Sequence, residues 1–252
     1  MEDWIKYTLV GVGLLILLIL ICSFMKYYNG DQNGKKILIE VGSYDGADSL
    51  KYHNLGYIVY SFEPHKELFK KLNNKTKNLK DFYLINKAVS DTNGKAILNL
   101  SKGGGAHSIL EFNDSAKIQK NWNGRRDIQY SGDSYEVETI RLDRFIEKSN
   151  LETKNIDYLH IDAQGKDLDV LLSCGKYLDN IKEGVIEVSK NVNVDIYKNS
   201  NNHIDLAKKV LLDNNFKIDK IEMNESLGNE YNIYFSNINN INNKEILIII
   251  ST

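Results

Sequence analysis

Residues 36–46 read KILIEVGSYDG, and this stretch decides which fold the rest of the chain can adopt. Its first half is a short apolar run that stops at a glycine, the pattern of a strand buried on both faces of a parallel sheet. Gly42 and Gly46 then predict a tight turn into a helix, where the backbone can approach a ligand closely and helical N–H groups are free. An ordinary turn has the same spacing. The stretch therefore predicts the first strand, turn and helix of an α/β domain.

Beyond this turn the chain alternates between strand-like and helix-like patterns. Strands are predicted at residues 57–62, 82–89, 95–100, 156–161 and 184–188, and helices at residues 47–55, 65–75, 166–178 and 203–214. Residues 216–222 and 231–235 have the pattern of a closing antiparallel pair, and the asparagine-rich residues 237–243 that of a solvated loop. Repeated strand–helix–strand units predict a mostly parallel sheet with helices on both faces.

The segment before the turn has a different character. Residues 7–25 carry no charge and read YTLVGVGLLILLILICSFM, a run long enough to cross a bilayer as a helix. The run lacks the polar stripe of a buried core helix, and its flanks lack the basic start and small-residue cleavage site of a signal peptide. We therefore expect a transmembrane anchor at residues 1–28, a linker at 29–35 and one α/β domain at 36–252.

The basic residues around this run predict its orientation. Lys26, Lys35 and Lys36 follow the run, whereas Lys6 is the one basic side chain before it. The positive-inside rule then predicts a single-pass membrane protein whose large domain lies in the cytosol.

Composition excludes several classes of protein. Lys and Arg number 32 against 34 Asp and Glu, for a net charge of -2, so a globally basic nucleic-acid binder is not predicted and we expect no nucleic-acid partner. Two cysteines, Cys22 and Cys174, are too few for a disulfide scaffold or a four-sulfur zinc site. We expect no metal centre, since the chain has neither a C-x-x-C nor an H-E-x-x-H motif.

The second predicted strand ends in a carboxylate that fits a nucleoside-containing cofactor. Glu63 follows residues 57–62 and precedes Pro64, the only proline in the chain. A carboxylate about 20 residues after a glycine turn can accept both ribose hydroxyls. The turn is not G-x-G-x-x-G, so a nicotinamide-dependent or nucleotide-sugar enzyme lacks its fingerprint. An acid two residues before the first glycine, here Glu40, together with Glu63 indicates S-adenosylmethionine instead.

Seven blocks along the chain carry a resemblance to a known family. They are IEVGSYDGADSL (39–50), SFEPHKELFKKL (61–72), NKAVSDTNGKAIL (86–98), GAHSIL (105–110), VETIRLDRFI (137–146), IDYLHIDAQGKDLDVL (156–171) and VIEVS (185–189). In their order and spacing these blocks resemble the FkbM family of methyltransferases over residues 36–235. The resemblance implies a Rossmann-like class I methyltransferase sheet and S-adenosyl-L-methionine as cofactor. It also implies methylation of a hydroxyl oxygen on a sugar, a glycan or another small molecule.

The resemblance also implies roles for particular residues. The methionine part of the cofactor would be held by Glu40, Gly42, Ser43, Tyr44, Asp45 and Gly46, the ribose by Glu63, and the adenine would lie near Ala88 and Val89. Asp162 closes the strand where methyl transfer takes place. The family commonly has Lys-x-Asp-x-Glu-Gly there, whereas this chain has His160 and Gln164 in place of the Lys and the Glu. That departure leaves an alternative, a catalytically inactive relative that serves as a membrane-tethered binding or scaffold module.

Methyl transfer is a displacement at an activated carbon, so the protein need only align the acceptor and remove its proton. The candidate bases are Asp162, His160 and Glu187, with His160 and Asp162 predicted on one side of the same strand. Two of these residues also have a purely structural interpretation: His160 as a residue of the sheet, and Asp162 as a cap for the helix predicted from residue 166. A divalent ion held by all three is a further alternative.

Two loops each leave two interpretations open, and for the second the charged surface loop is favoured. The GGGAHS stretch at residues 103–108 is either a mobile loop over the cofactor or a flexible hairpin connection. Arg125 and Arg126, close to Trp122, either attract an anionic acceptor or belong to a charged surface loop.

Overall fold

Two β-sheets and six α-helices form residues 34–239, the part of the chain that the computed structural model describes. The strands are β1 (Ile37–Val41), β2 (Ile58–Phe62), β3 (Phe82–Ile85), β4 (Ala88–Val89), β5 (Gly94–Ser101), β6 (Tyr130–Ile140), β7 (Ile156–Ile161), β8 (Ile181–Ser189), β9 (Phe216–Met223) and β10 (Glu230–Asn237). The helices are α1 (Ala47–Asn54), α2 (Lys66–Thr76), α3 (Ala116–Asn121), α4 (Leu142–Lys148), α5 (Asp167–Leu172) and α6 (Ile204–Asp213).

The large sheet has the strand order β3-β2-β1-β7-β8-β10-β9. Strands β3, β2, β1, β7 and β8 are parallel, and β10 pairs antiparallel with both β8 and β9. The predicted parallel sheet with a closing antiparallel pair is thus confirmed. The strand order reverses between β1 and β7, and open parallel sheets bind ligands beyond the strand ends at such a switch point.

The three strands at this switch point end level with one another. All five residues of β1 are buried, as its apolar sequence predicts. Val41 pairs with Phe62 of β2 on one side and with Ile161 of β7 on the other. Because parallel strands in this register finish at one edge of the sheet, the residues that follow them emerge side by side. Gly42, Glu63 and Asp162 are those residues.

The prediction of one strand over residues 82–89 is wrong. Phe82–Ile85 belongs to the large sheet, whereas Ala88–Val89 pairs with β6 in a second sheet of order β4-β6-β5. The break falls at Asn86, whose side-chain amide donates to the backbone oxygens of Glu63 and Pro64 at 2.7 and 3.2 Å. These contacts turn the chain away from β2, so that one apolar run supplies two sheets.

Other element boundaries also differ from the sequence prediction. The single helix predicted over residues 166–178 is instead α5 followed by a 3-10 helix, Gly175–Asn180. Strand β6 and helices α3 and α4 were not predicted, since β6 reads YSGDSYEVETI and lacks a continuous apolar run. Asn237 is fully buried at the end of β10, not part of a solvated loop, and residues 240–243 lie outside the described residues.

Residues 34–239 include no helix that is long and apolar enough to span a bilayer. The anchor predicted at residues 7–25 lies outside the described residues, and so does most of the linker at 29–35.

Candidate active site

The turn after β1 is held against the ends of both neighbouring strands. Gly42 has a φ of +86°, and a Cβ atom there would lie 1.9 Å from the backbone oxygen of Asp162. The N–H groups of Gly42 and Ser43 both donate to the Phe62 oxygen at 3.0 Å. The first glycine of the predicted turn is thus required for β1 to end this close to β7.

Glu63 lies directly beneath this turn and binds its backbone. The carboxylate accepts hydrogen bonds from the N–H groups of Tyr44 at 2.8 Å and His65 at 2.7 Å. The side chain is 4% exposed, and burial raises the pKa of its carboxyl group to about 7 even though the two hydrogen bonds favour ionisation. Glu63 therefore stabilises the turn as well as facing the space above it.

A cleft opens at the ends of β1, β2 and β7, and its space amounts to about 610 Å³ when the open solvent at its mouth is included. Five of the residues predicted to bind the cofactor line it, namely Gly42, Tyr44, Glu63, Ala88 and Val89. Leu68, Leu98 and Ile109 add apolar wall. A close-packed glycine turn, a buried carboxylate and an apolar wall at one strand edge fit the amino-acid, ribose and adenine parts of S-adenosylmethionine.

Ser43, Asp45, Gly46 and Glu40 do not line this cleft. The Asp45 side chain instead accepts a hydrogen bond from the Ala47 N–H at 3.0 Å, at the start of α1. Ser43 Oγ lies 2.5 Å from Ser61 Oγ. A role in cofactor binding for these four residues stays a prediction.

Glu40 points towards α1 and the neighbouring strands rather than into the cleft. It is 2% exposed and accepts a hydrogen bond from the Ser49 hydroxyl. His160 faces it from β7, with Nδ1 3.5 Å from Glu40 Oε1. Burial opposes the charge of the imidazole, but Glu40, Asp162 and Asp48 outweigh burial and raise the pKa of His160. A buried polar cluster therefore joins β1, α1 and β7 behind the cleft.

This cluster changes the interpretation of two sequence-based alternatives. His160 lines neither this cleft nor the cavity that adjoins it, and its imidazole faces Glu40. Among residues 34–239, the side chains that come close enough to share a cation are Glu40, Asp48 and His160, within 4.8 Å of one another. The set predicted as an alternative, with Asp162 and Glu187, is not brought together, and we assign no metal to either.

A second cavity adjoins the first, with about 800 Å³ of space when the open solvent at its mouth is included. The two share Tyr44, Gly105, Asp162 and Gln164. The rest of the second cavity is lined by Gly103, Ala106, Arg125, Asp127, Ile128, Glu187, Ile196, Asn224 and Glu230. Its wall is more polar than that of the cleft, and four of its five charged side chains are acidic.

Two glutamates of this wall have strongly perturbed acidity. Glu187 accepts a hydrogen bond from the Asn224 side chain at 2.6 Å, but burial and the charge of Asp162 raise the pKa of Glu187 well above its usual range. Burial and the same charge raise the pKa of Glu230 to about 8. Carboxyl groups that repel one another around an open cavity are common where ligands bind.

Asp162 lies at the junction of the two cavities. Its N–H donates to the Val41 oxygen at 2.9 Å, and Gln164 Nε2 donates to its Oδ1 at 2.5 Å. Burial raises the pKa of the Asp162 carboxyl group, while Gln164 and His160 act in the opposite direction. Of the three predicted bases, the structure brings Asp162 and Glu187 to the cavities and leaves His160 behind them.

The GGGAHS stretch lies in a hairpin connection and contributes lining residues to both cavities. Asn99 and Ser108 exchange backbone hydrogen bonds of 2.7 and 3.1 Å, and the Gly103 N–H donates to the Asp127 oxygen at 2.8 Å. Arg125 stacks 5.4 Å from the Trp122 ring and forms an ion pair with Asp127. The one arginine in the wall is thus neutralised, which disfavours the predicted attraction of an anionic acceptor.

Sequence reasoning missed several residues of this region. Asp167 is buried and accepts hydrogen bonds from the N–H groups of Ala163 and Gly165 at 2.7 and 3.1 Å. An acidic residue in the first turn of a predicted helix was the available signal. Tyr197 and Glu230 gave no local signal, because their partners come from distant parts of the chain.

Comparison with known proteins agrees with the resemblance seen in the sequence. The 2-O-methyltransferase NoeI of Sinorhizobium fredii is 27% identical over 138 residues, an alignment that covers 54% of this chain and 56% of that protein. Thus the chain spans only about half of that relative. An rRNA methylase from Streptococcus thermophilus is similar in structure with a TM-score of 0.44 and 13% identity, over 82% of this chain and 89% of that one.

Fibrillarin from Aeropyrum pernix, solved with S-adenosyl-L-methionine, has a TM-score of 0.43 and 13% identity, over 81% of this chain and 66% of that one. The model of the methyltransferase FkbM domain matches residues 40–218, which include the turn, Glu63, Asp162 and Glu187. The chain therefore belongs to the FkbM family of S-adenosylmethionine-dependent methyltransferases.

Proposed function

We propose that this protein is a membrane-anchored O-methyltransferase that binds S-adenosylmethionine in the cleft and a hydroxyl-bearing acceptor in the adjoining cavity. The observation that carries the proposal is the shared boundary of the two cavities at Asp162 and Gln164. A group-transfer enzyme needs two sites that meet where the group is passed, and this edge of the sheet supplies both.

The cleft residues divide into those suited to each part of the cofactor. Glu63 is placed to accept hydrogen bonds from ribose hydroxyls, since its carboxylate is fixed by two backbone N–H groups. Ala88, Val89 and Leu98 offer an apolar surface to a purine ring. When bound, S-adenosylmethionine supplies a methyl group on a positively charged sulfur. A nucleophile can attack the methyl carbon directly, and the sulfur then leaves as a neutral thioether.

The acceptor cavity suits a molecule with several hydroxyl groups. Glu187 and Glu230 present carboxyl groups that accept hydrogen bonds from hydroxyls, and Asn224 adds an amide. Asp162, at the junction, is placed to take the proton of the hydroxyl to be methylated. The relative NoeI is named a 2-O-methyltransferase, which supports oxygen as the acceptor atom. A sugar or glycan hydroxyl is the acceptor we infer.

The anchor belongs to this proposal on sequence grounds. Residues 7–25 are uncharged and long enough to span a bilayer, and more basic residues follow the run than precede it. We infer a single-pass protein whose methyltransferase domain faces the cytosol, where it would meet acceptors at or near the membrane.

Binding and transfer are tested on the full chain in detergent micelles. Titration calorimetry compares S-adenosylmethionine with NAD, and transfer of a tritiated methyl group is measured on a panel of neutral, amino- and phosphorylated sugars and membrane glycolipids. We expect the protein to bind S-adenosylmethionine but not NAD, and to transfer the methyl group to a neutral or amino-bearing acceptor. Binding of NAD instead would refute the proposal. Cofactor binding with no transfer to any acceptor would favour the inactive binding module.

A further inference from the structure

We propose that Gln164 is a positioning residue for Asp162: its side-chain amide holds the Asp162 carboxylate at the junction of the cleft and the acceptor cavity. The role in methyl transfer rests on the proposed function, whereas the contact itself does not. The sequence alone left open whether the departure from the family pattern at Gln164 reduces activity.

The Gln164 amide has a partner at each end. Its Nε2 donates to Asp162 Oδ1 at 2.5 Å, and its Oε1 accepts a hydrogen bond from the Tyr197 hydroxyl at 2.7 Å. An amide has donors at one end and an acceptor at the other, so a hydroxyl that donates to the oxygen turns the N–H groups towards Asp162. Tyr197 is buried, and its single hydroxyl proton is shared between Gln164 Oε1 and the Ala106 backbone oxygen, which lies 3.0 Å from the hydroxyl. Because the Asp162 carboxylate can only accept hydrogen bonds, the N–H groups of the amide face Asp162 and its oxygen faces Tyr197.

The backbone that carries Gln164 is fixed as well. Its φ of +49° lies in the left-handed region, which costs energy and persists only where the surroundings impose it. Ser108 Oγ donates to the Gln164 backbone oxygen at 2.7 Å, and the Asp167 carboxylate binds the N–H groups on both sides of Gln164. A Cβ on the adjacent Gly165 would lie 2.6 Å from the Tyr197 ring. These contacts give the amide little freedom to leave Asp162.

A neutral donor suits residue 164 of this chain because the titratable groups around Asp162 are mostly acids and residue 160 is a histidine, where the family commonly has a lysine. The titratable groups that interact with it are His160 on β7, Glu40 on β1, Asp48 on α1, Glu63 after β2, Asp167 on α5, Glu187 on β8, Glu230 on β10 and Tyr197. Apart from the imidazole and the phenol, all of them are carboxyl groups. A further carboxylate at residue 164 would lie within hydrogen-bonding distance of Asp162, where two like charges cannot both ionise.

The test is a pH titration of the full chain in micelles. Aspartate residues carry carbon-13 at the side-chain carboxyl carbon, and NMR monitors their signals at each pH. The Asp162 signal is the one absent from Asp162→Asn. We expect Gln164→Glu, which keeps the shape, to raise the pKa of Asp162 by about one unit or more, a tenfold or greater change in proton affinity. Gln119→Glu, which adds the same charge outside both cavities, should leave that pKa unchanged. Once an acceptor is identified, the pH below which turnover declines should rise by the same number of pH units as the pKa of Asp162.

A second variant keeps the inference falsifiable if Gln164→Glu fails to fold. Tyr197→Phe leaves Gln164 in place but removes the hydroxyl that orients its amide, so the pKa of Asp162 should rise in this variant too. A shift smaller than about 0.3 unit in both folded variants would overturn the inference. Because the titration needs neither cofactor nor acceptor, it stands even if the unaltered protein proves not to bind S-adenosylmethionine.

Discussion

Glu63 combines two roles in a single side chain. It is a ligand for the backbone of the turn and, by the proposed function, a ligand for the ribose. We expect Glu63→Gln to weaken S-adenosylmethionine binding by about 1.5–3 kcal/mol, the range for a hydrogen bond to a charged group. Calorimetry of this variant is compared with Glu67→Gln, an exposed glutamate on α2. An affinity within about twofold of the unaltered protein, in a folded variant, would remove Glu63 from the cofactor site.

The same residue should make stability depend on pH. Burial raises its folded-state pKa from 4.5 to about 7, so the folded chain holds the proton more tightly than the unfolded chain. Stability from this group is therefore present at low pH and is lost as the pH rises from about 4.5 through 7. The loss amounts to a few kcal/mol at most, at about 1.4 kcal/mol per pKa unit. Denaturant unfolding across this pH window should show a shallower decline in Glu63→Gln than in Glu67→Gln.

Asp162 is the residue on which the proposed chemistry depends. Asp162→Asn keeps the shape and can still accept the Gln164 hydrogen bond, but it cannot take a proton. Turnover should fall by about 10²–10⁴-fold, while cofactor affinity changes little. His160→Asn should reduce turnover far less, because His160 lines neither cavity.

Glu187→Gln tests the neighbouring strand in the same assay. As a wall residue of the acceptor cavity, Glu187 should affect KM more than turnover. Normal turnover in Asp162→Asn together with a large loss in Glu187→Gln would move the base from β7 to β8.

At the scale of the element, the β1 turn shows why a short glycine pattern is specific. Gly42→Ala would combine a positive φ with a Cβ placed 1.9 Å from a backbone oxygen that cannot move far. Gly56→Ala is the matched control, since Gly56 has a φ of +87° and nothing within 4 Å of its would-be Cβ. We expect the control to lose about 1–2 kcal/mol of stability from strain alone, and Gly42→Ala to lose roughly 1–3 kcal/mol more from the clash.

Denaturant unfolding measures that difference, and calorimetry shows whether the cleft survives. Equal losses of stability in the two variants would mean that β1 and β7 are not held together as closely as described.

At the scale of the whole molecule, we expect the proposed anchor to be separable from the methyltransferase domain. Removal of residues 1–28 should release the protein from membranes and leave S-adenosylmethionine binding intact, since the turn, Glu63 and the apolar wall of the cleft all belong to residues 41–164. Fractionation of cells that produce the full and shortened chains measures this. Extraction of the full chain by carbonate or high salt alone would contradict the anchor.

Local patterns determined the order of the main elements. Three features can be interpreted from a few adjacent residues: the apolar run of β1, the glycines after it and the carboxylate that ends β2. This is possible because strand burial and tight turns depend mainly on residues close together in the sequence. For the same reason the alternation of elements was enough to predict a parallel sheet and the edge where a ligand binds. Gly42 and Glu63 were identified in this way, whereas the role of Asp162 came from the resemblance to the family.

Contacts between distant segments decided the rest. Asn86 splits one apolar run into two sheets by binding Glu63, and Tyr197 turns the Gln164 amide towards Asp162 from 33 residues away. Glu40 and His160 were expected at the site, but the pairing of β1 with β7 places them against each other behind it. A sequence states which groups a chain carries near one another along its length, whereas partner, orientation and acidity depend on what the fold packs around each group.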